Sequence, residues 1–377
     1  MSAFVTTPRS HPVVARAVVA RAVVARAAAV VAVPKAAPAD SFVLHAPLEL
    51  VARVGLLPFV AADRRADALG MIDWLRERYD AAGEPVAEPA PIRLGSPAEG
   101  ATRLVAALAD GALDEVDVVA ATLLPALTAP EAVGLLGEAV VASLAAAGHA
   151  PIGFALLCRV RPELPTVLLR GALRGIASRP DWKISWHLDA ADGGATDGLY
   201  RAIRSTPQLG RPGSDFIHPL MSQVQDSGLT AQLLAPVLAD RFDVSATGHV
   251  LTRVAAWSML HDDPAQAPYG WTHALTMPQG VMALAGAGVH PRTALAVAGT
   301  FTVGFRAAHA TVHLPELLEP GQPADATVEE LVTAAALHED AHVVKFALAT
   351  LHAAADDPAF RPLYLRSLQR LVEWWRG

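Results

Sequence analysis

The chain has 377 residues, 53% of them hydrophobic, with 30 Lys plus Arg against 37 Asp plus Glu and a formal charge of −7. That length supports a sizeable core in one large or two ordinary domains, and an acidic balance with no basic block argues against a nucleic-acid partner. Cys158 is the single cysteine, which excludes an intrachain disulfide framework and a cysteine zinc site, points to a reducing cytoplasm, and leaves any metal to carboxylates, fourteen histidines or something less usual.

Residues 1–38 stand apart. Val13-Val14-Ala15-Arg16-Ala17 repeats with a period of five through Arg26, and no acidic residue occurs from Met1 to Ala39. Such a segment invites a transit-peptide reading. Its arginines, however, cut every apolar run short of a signal core or membrane span. It reads as a flexible low-complexity extension ahead of a single helical domain over 39–377, with no stretch that must span a membrane.

Apolar residues at three- and four-residue spacing then predict helices over 102–113, 130–147, 230–238, 293–306 and 328–355. Proline-rich segments at 33–40 and 85–97, and Pro-Gly clusters at 207–213 and 320–323, separate them. Trp182–Trp186 fits a strand or an apolar loop. With alternating β-branched runs scarce, the fold class is all-α, a multi-helix globular enzyme fold.

The segment with most chemical content is Leu337-His338-Glu339-Asp340-Ala341-His342-Val343-Val344-Lys345. It matches His-Glu-x-x-His, which on a helix turns two imidazoles to one side for a metal, with the glutamate as base. On that helix Lys345 follows one turn later on the same stripe. A lysine among Val343, Val344, Ala347 and Leu348 is costly as an ammonium and either snorkels outward or stays neutral. A neutral amine is a base, or reacts with carbon dioxide to give a carbamate that ligates like a carboxylate. As a zinc hydrolase site, His338, Glu339 and His342 lack a clear third ligand downstream.

Three further histidines have marked settings. His45 lies two residues before Pro47, His218 immediately before Pro219, and His273 within Thr272-His273-Ala274-Leu275-Thr276. Proline is tolerated in the first helical turn, so His45 and His218 read as lying near helix starts. His309 and His313 have helical spacing but rank lower because Pro315 follows closely. His149, His187 and His352 show no constellation. Trp257, Tyr269 and Trp271 are candidates for a flat apolar substrate pocket.

Four islands in order resemble the questin oxidase-like proteins: Leu44-His45-Ala46-Pro47-Leu48, Phe216-Ile217-His218-Pro219-Leu220, Thr272–Thr276, and Asp340-Ala341-His342-Val343-Val344-Lys345. They spread across nearly all of residues 40–377. That resemblance implies a helical oxygenase of secondary metabolism that opens anthraquinone-type rings with O2. It further implies a mononuclear non-haem Fe(II) held by four histidines and a carboxylated lysine: His45, His218, His273, His342 and Lys345. His309 or His313 would substitute for His45, and His338 and Glu339 would stand outside the ligand set. The implied partners are O2 and a small apolar aromatic substrate. A need for NADPH as external reductant, the oligomeric state and the catalytic residues stay open. Two other classes compete, the His-Glu-x-x-His zinc hydrolase and a non-catalytic helical small-molecule binding protein.

Overall fold

The structure, a computed structural model, describes residues 12–36, 40–160, 164–191, 193, 195–213 and 217–376. These residues are all-α, 71% helical with no strand. In chain order the helices are α1 (Pro12–Val31), α2 (Ser41–Leu56), α3 (Arg65–Asp80), α4 (Pro97–Asp110), α5 (Leu113–Leu123), α6 (Ala129–Val141), α7 (Ala150–Arg159), α8 (Arg170–Ser178) and α9 (Leu199–Arg204). There follow α10 (Ile217–Asp226), α11 (Leu229–Leu234), α12 (Val244–His261), α13 (Thr272–Ala285), α14 (Pro291–His309), α15 (Val328–Ala336), α16 (Ala341–Asp356) and α17 (Arg361–Trp374).

Local chemistry sets many of these limits. Asp40 caps α2 by accepting the Val43 N–H at 2.8 Å, and Thr128 and Thr327 form capping boxes with Glu131 and Glu330. Ser96 and Pro97 start α4, which stops where Gly111 takes a left-handed φ of 68°. Buried α13 is the hub, packed against α7, α12, α14 and α16, while α2 lies across α16, α7 and α3.

Three expectations change. The N-terminal segment does not trail away from Pro12 onward. It forms α1, and Val23, Ala27 and Val31 sink one stripe into the contact with α2 and α3. A five-residue period turns successive repeats by roughly 140° on a helix, so the stripe runs across the repeat rather than with it. Residues 1–11 lie outside the described residues. Secondly, the helix expected over 130–147 ends at Val141, and Ser143 makes an isolated bridge to Lys183, within the expected strand or loop.

The third change matters most. The helix expected over 328–355 is two helices. α15 ends at Ala336, and Asp340 starts α16 by accepting the His342 N–H at 2.7 Å. His338 and Glu339 lie in the joint, outside any helix. His-Glu-x-x-His therefore does not place its two imidazoles on one helical face.

Candidate metal centre

Four helices deliver histidines to one buried point. His45 sits in the second turn of α2, His149 immediately before α7, and His273 and His342 second in α13 and α16. All four are buried, with exposures of 5, 1, 4 and 9%. Ring centroids lie 4.4 Å apart for His45 and His149, 4.5 Å for His45 and His342, and 4.9 Å for His273 and His342. Ligand-type nitrogens of His45, His273 and His342 fall within 4.8 Å of one another. Nε2 of His149 is 3.3 Å from Nε2 of His273 and 3.4 Å from Nζ of Lys345.

The outer nitrogen of each ring is held in the same way. Nδ1 of His45 donates to the Ser41 carbonyl, that of His149 to the Ala146 carbonyl at 2.9 Å, and that of His273 to the Tyr269 carbonyl at 2.5 Å. Nδ1 of His342 bonds Oδ1 of Asp340 at 2.8 Å. A carbonyl only accepts, so the proton of those three rings is on Nδ1 and Nε2 carries a lone pair. Imidazoles that bind metals are oriented by such outer bonds to carbonyls and carboxylates. Burial, first of all, holds all four imidazoles below the usual histidine pKa; Lys345 adds to it in each, neighbouring histidines add to it for His45, His149 and His273, and Asp340 opposes it for His342.

The inner nitrogens face one another across the centre of the cluster. Nε2 of His45 is buried without a hydrogen bond, and the Nε2 lone pairs of His149 and His273 face each other, with the Lys345 amine beside His149. Two nitrogens each about 2.0–2.1 Å from one metal ion stand about 3.0–3.4 Å apart, and the 3.3 Å here fits that separation. The donor set thus suits a metal ion.

Lys345, 2% exposed, reaches the same point from the second turn of α16. Burial pushes its ammonium down to about 7, against the pull of the Asp340 and Glu49 carboxylates. The Asp340 carboxyl would be raised by burial alone, but its hydrogen bonds to His342 hold it below the usual value.

Backbone strain lies next to the cluster. Ala146 and Ala147 take φ values of 48° and 52°, a left-handed conformation costing roughly 1–2 kcal/mol per residue. They form the turn that presents His149, whose ring Ala146 anchors. Before α13, a π turn over Ala267–Trp271 supplies the Tyr269 carbonyl that holds His273. Helical wobbles of this kind recur at functional sites.

His45, His273, His342 and Lys345 therefore come together, joined by His149, while His218 stands elsewhere. His218 stacks on Trp182, ring centroids 3.9 Å apart. His149 does carry one sign in the sequence. His45-Ala46-Pro47 recurs as His149-Ala150-Pro151, the same pairing of a histidine with an early helical proline.

The remaining candidates fall outside the cluster. His338 lies against Trp375 and accepts the Asp340 N–H, and Glu339 is exposed. His309 is one ring removed, beside Phe305, which itself faces His273, and His313 is exposed. Trp257 packs on His261 and Trp271 is buried beside His309. Tyr269 alone of the three expected pocket aromatics meets the cluster, its ring edge-on to His342 at 4.9 Å.

The larger of two cavities that reach the cluster has other walls. About 470 Å³ in volume and mostly apolar, it lies between α2 and α8, with His149 and Trp182 on its surface. Neither Trp257, Tyr269 nor Trp271 lines it. A larger groove of 620 Å³ runs along α15 and α17 but shares no residue with the cluster.

No family model matches the chain, no curated protein matches it, and no solved structure matches it.

Proposed function

We propose that this chain is a mononuclear metal-dependent oxygenase of the questin oxidase-like kind, acting with O2 on an apolar aromatic substrate. One observation carries the reading: four buried imidazoles, each with Nδ1 engaged by a protein oxygen, converge with Lys345 on one point. The ligands would be His45, His149, His273, His342 and Lys345, with His149 in the place first given to His218.

The Lys345 amine, held partly neutral by burial, is a nucleophile toward carbon dioxide. Its carbamate would give a hard cation an anionic oxygen and reduce the cost of a dication in an apolar interior. Four nitrogens and an oxygen exceed the four-coordinate shell usual for zinc. Imidazoles alone serve iron, zinc and copper, so the choice of iron rests on the resemblance in the four sequence islands. Iron(II), when bound, supplies the chemistry of dioxygen activation.

The chain's own residues bind, orient and exclude. Asp340 fixes the His342 ring, and the Ser41, Ala146 and Tyr269 carbonyls fix the others. The apolar walls between α2 and α8 keep water from an aromatic substrate entering from the His149 side. No described strand-to-helix Gly-x-Gly-x-x-Gly turn offers a nucleotide cradle, so NADPH would act as an external reductant if one is consumed.

Metal analysis of untagged protein tests the reading, with about one iron per chain expected. His149→Ala should lose metal as fully as His342→Ala, and His218→Ala should retain it. Stoichiometric zinc, or folded protein without metal after purification under iron-replete anaerobic conditions, would overturn it.

A further inference from the structure

The cavity beside His149 has a charge character that its apolar walls do not require. Lys35, Arg174 and Arg179 lie on its lining, and among the described residues no aspartate or glutamate does. The chain as a whole carries more acid than base, and the groove along α15 and α17 mixes four acids, Asp325, Glu329, Glu330 and Glu373, with Arg64 and Arg376.

The three cations differ in what occupies them. Arg174 pairs with the buried Asp117 and is neutralised there. Lys35 donates to the Asp80 and Gly83 carbonyls at 3.0 and 2.9 Å and lies over the Tyr79 ring, and among the described residues it makes no ion pair with a carboxylate. Arg179 donates from Nη1 to the Ser178 carbonyl and spreads over Trp182, 5.5 Å from the ring centroid. That leaves most of a guanidinium's five donors for an acceptor of matching planarity.

We propose that this cavity binds an apolar molecule bearing one anionic group, a carboxylate in the plainest case. Its body would lie between α2 and α8, and its carboxylate would meet Arg179, with Lys35 as a second positive charge. The inference deepens the oxygenase reading and rests on it only in calling the occupant a substrate.

Isothermal titration of the full-length protein with 2-naphthoic acid and with 2-naphthalenemethanol tests this. The acid should bind about tenfold more tightly than the alcohol, and added salt should weaken the acid alone. Arg179→Gln should lower that preference about fivefold, Arg179→Lys should restore part of it, and Lys35→Gln should lower it less. Circular dichroism and melting on each variant separate lost binding from lost fold. Dodecanoate and dodecanol form a second pair. Either carboxylate preferred over its own alcohol upholds the proposal, and the tighter carboxylate tells a fused ring from a lipid-like chain.

Equal binding of acid and alcohol, a preference unmoved by both Arg179→Gln and Lys35→Gln, or no binding of any probe would overturn it. Metal content is read on the same samples. Charge preference in protein that never holds iron upholds the cavity inference and removes the oxygenase reading, while iron without charge preference does the reverse.

Discussion

At the residue scale, Asp340 joins fold to site. One carboxylate oxygen accepts the His342 N–H that begins α16 and also holds Nδ1 of the same residue's ring. Cap and ring orientation are therefore one constraint. Asp340→Asn keeps a good N-cap but exchanges a charged partner for a neutral amide. Stability should change little, while metal affinity should fall about 10–100-fold. Competition titration against a chelator measures this, and an unchanged dissociation constant would remove Asp340 from its positioning role. The residue scale also shows what sequence could supply. His45, His273, His342 and Lys345 stood out through their settings. His149 offered only the short His-Ala-Pro that it shares with His45, because its backbone setting, two left-handed alanines, has no signature in residue type.

At the element scale, the joint between α15 and α16 explains why the His-Glu-x-x-His pattern misleads. Apolar spacing runs from Leu331 through Phe346 with no glycine or proline to interrupt it, so periodicity alone joins the two helices. The break is held by distant residues. Arg53, 1% exposed, donates at 2.7 Å to the carbonyls of Ala336 and His338, and Glu49 four residues earlier holds it at 2.6 Å. Ser41, His45, Glu49 and Arg53 occupy one stripe of α2 at four-residue spacing. One face of one helix thus anchors a cluster imidazole and grips the loop that leads to another.

A pair so buried is strained if halved. Arg53→Met alone should cost about 3–5 kcal/mol, because Glu49 is then left charged and unpaired, or must take up a proton. The double replacement Glu49→Leu with Arg53→Met should cost less than the single one. Urea unfolding of the wild type, Glu49→Leu, Arg53→Met and the double variant decides it. A double variant as unstable as the sum of its singles would show that the pair acts through its carbonyl contacts rather than through mutual charge.

At the scale of the whole molecule, the all-α class was legible because it depends on the recurring three- and four-residue spacing of Leu, Val and Ala. The cavity was not, since its walls come from α2 and α8, more than a hundred residues apart. The same dense interior makes stability depend on acid. His309 and His352, neither in the cluster, are pushed down to about 4 by burial, with Arg211 and Arg159 respectively adding to the effect. An unfolded chain holds these imidazoles near 6.5, so below that value the unfolded state binds more protons than the folded one. Their contribution is thus complete above about pH 6.5 and is lost as pH falls toward about 4. Each group removes at most about 1.4 kcal/mol per pH unit across that window. Melting temperature should already fall between pH 8 and 7, where buried Lys345, pushed down to about 7, binds its proton less readily than an unfolded lysine, and should fall further below about pH 6.5 as these histidines contribute, well above the range where ordinary carboxylates titrate. In His352→Gln the decline should be shallower by one group's share, whether or not metal is bound, because that residue lies outside the ligand set. A wild-type profile flat from pH 7 to 5, or one that His352→Gln leaves with the same slope, would show that this histidine is not held neutral in the fold.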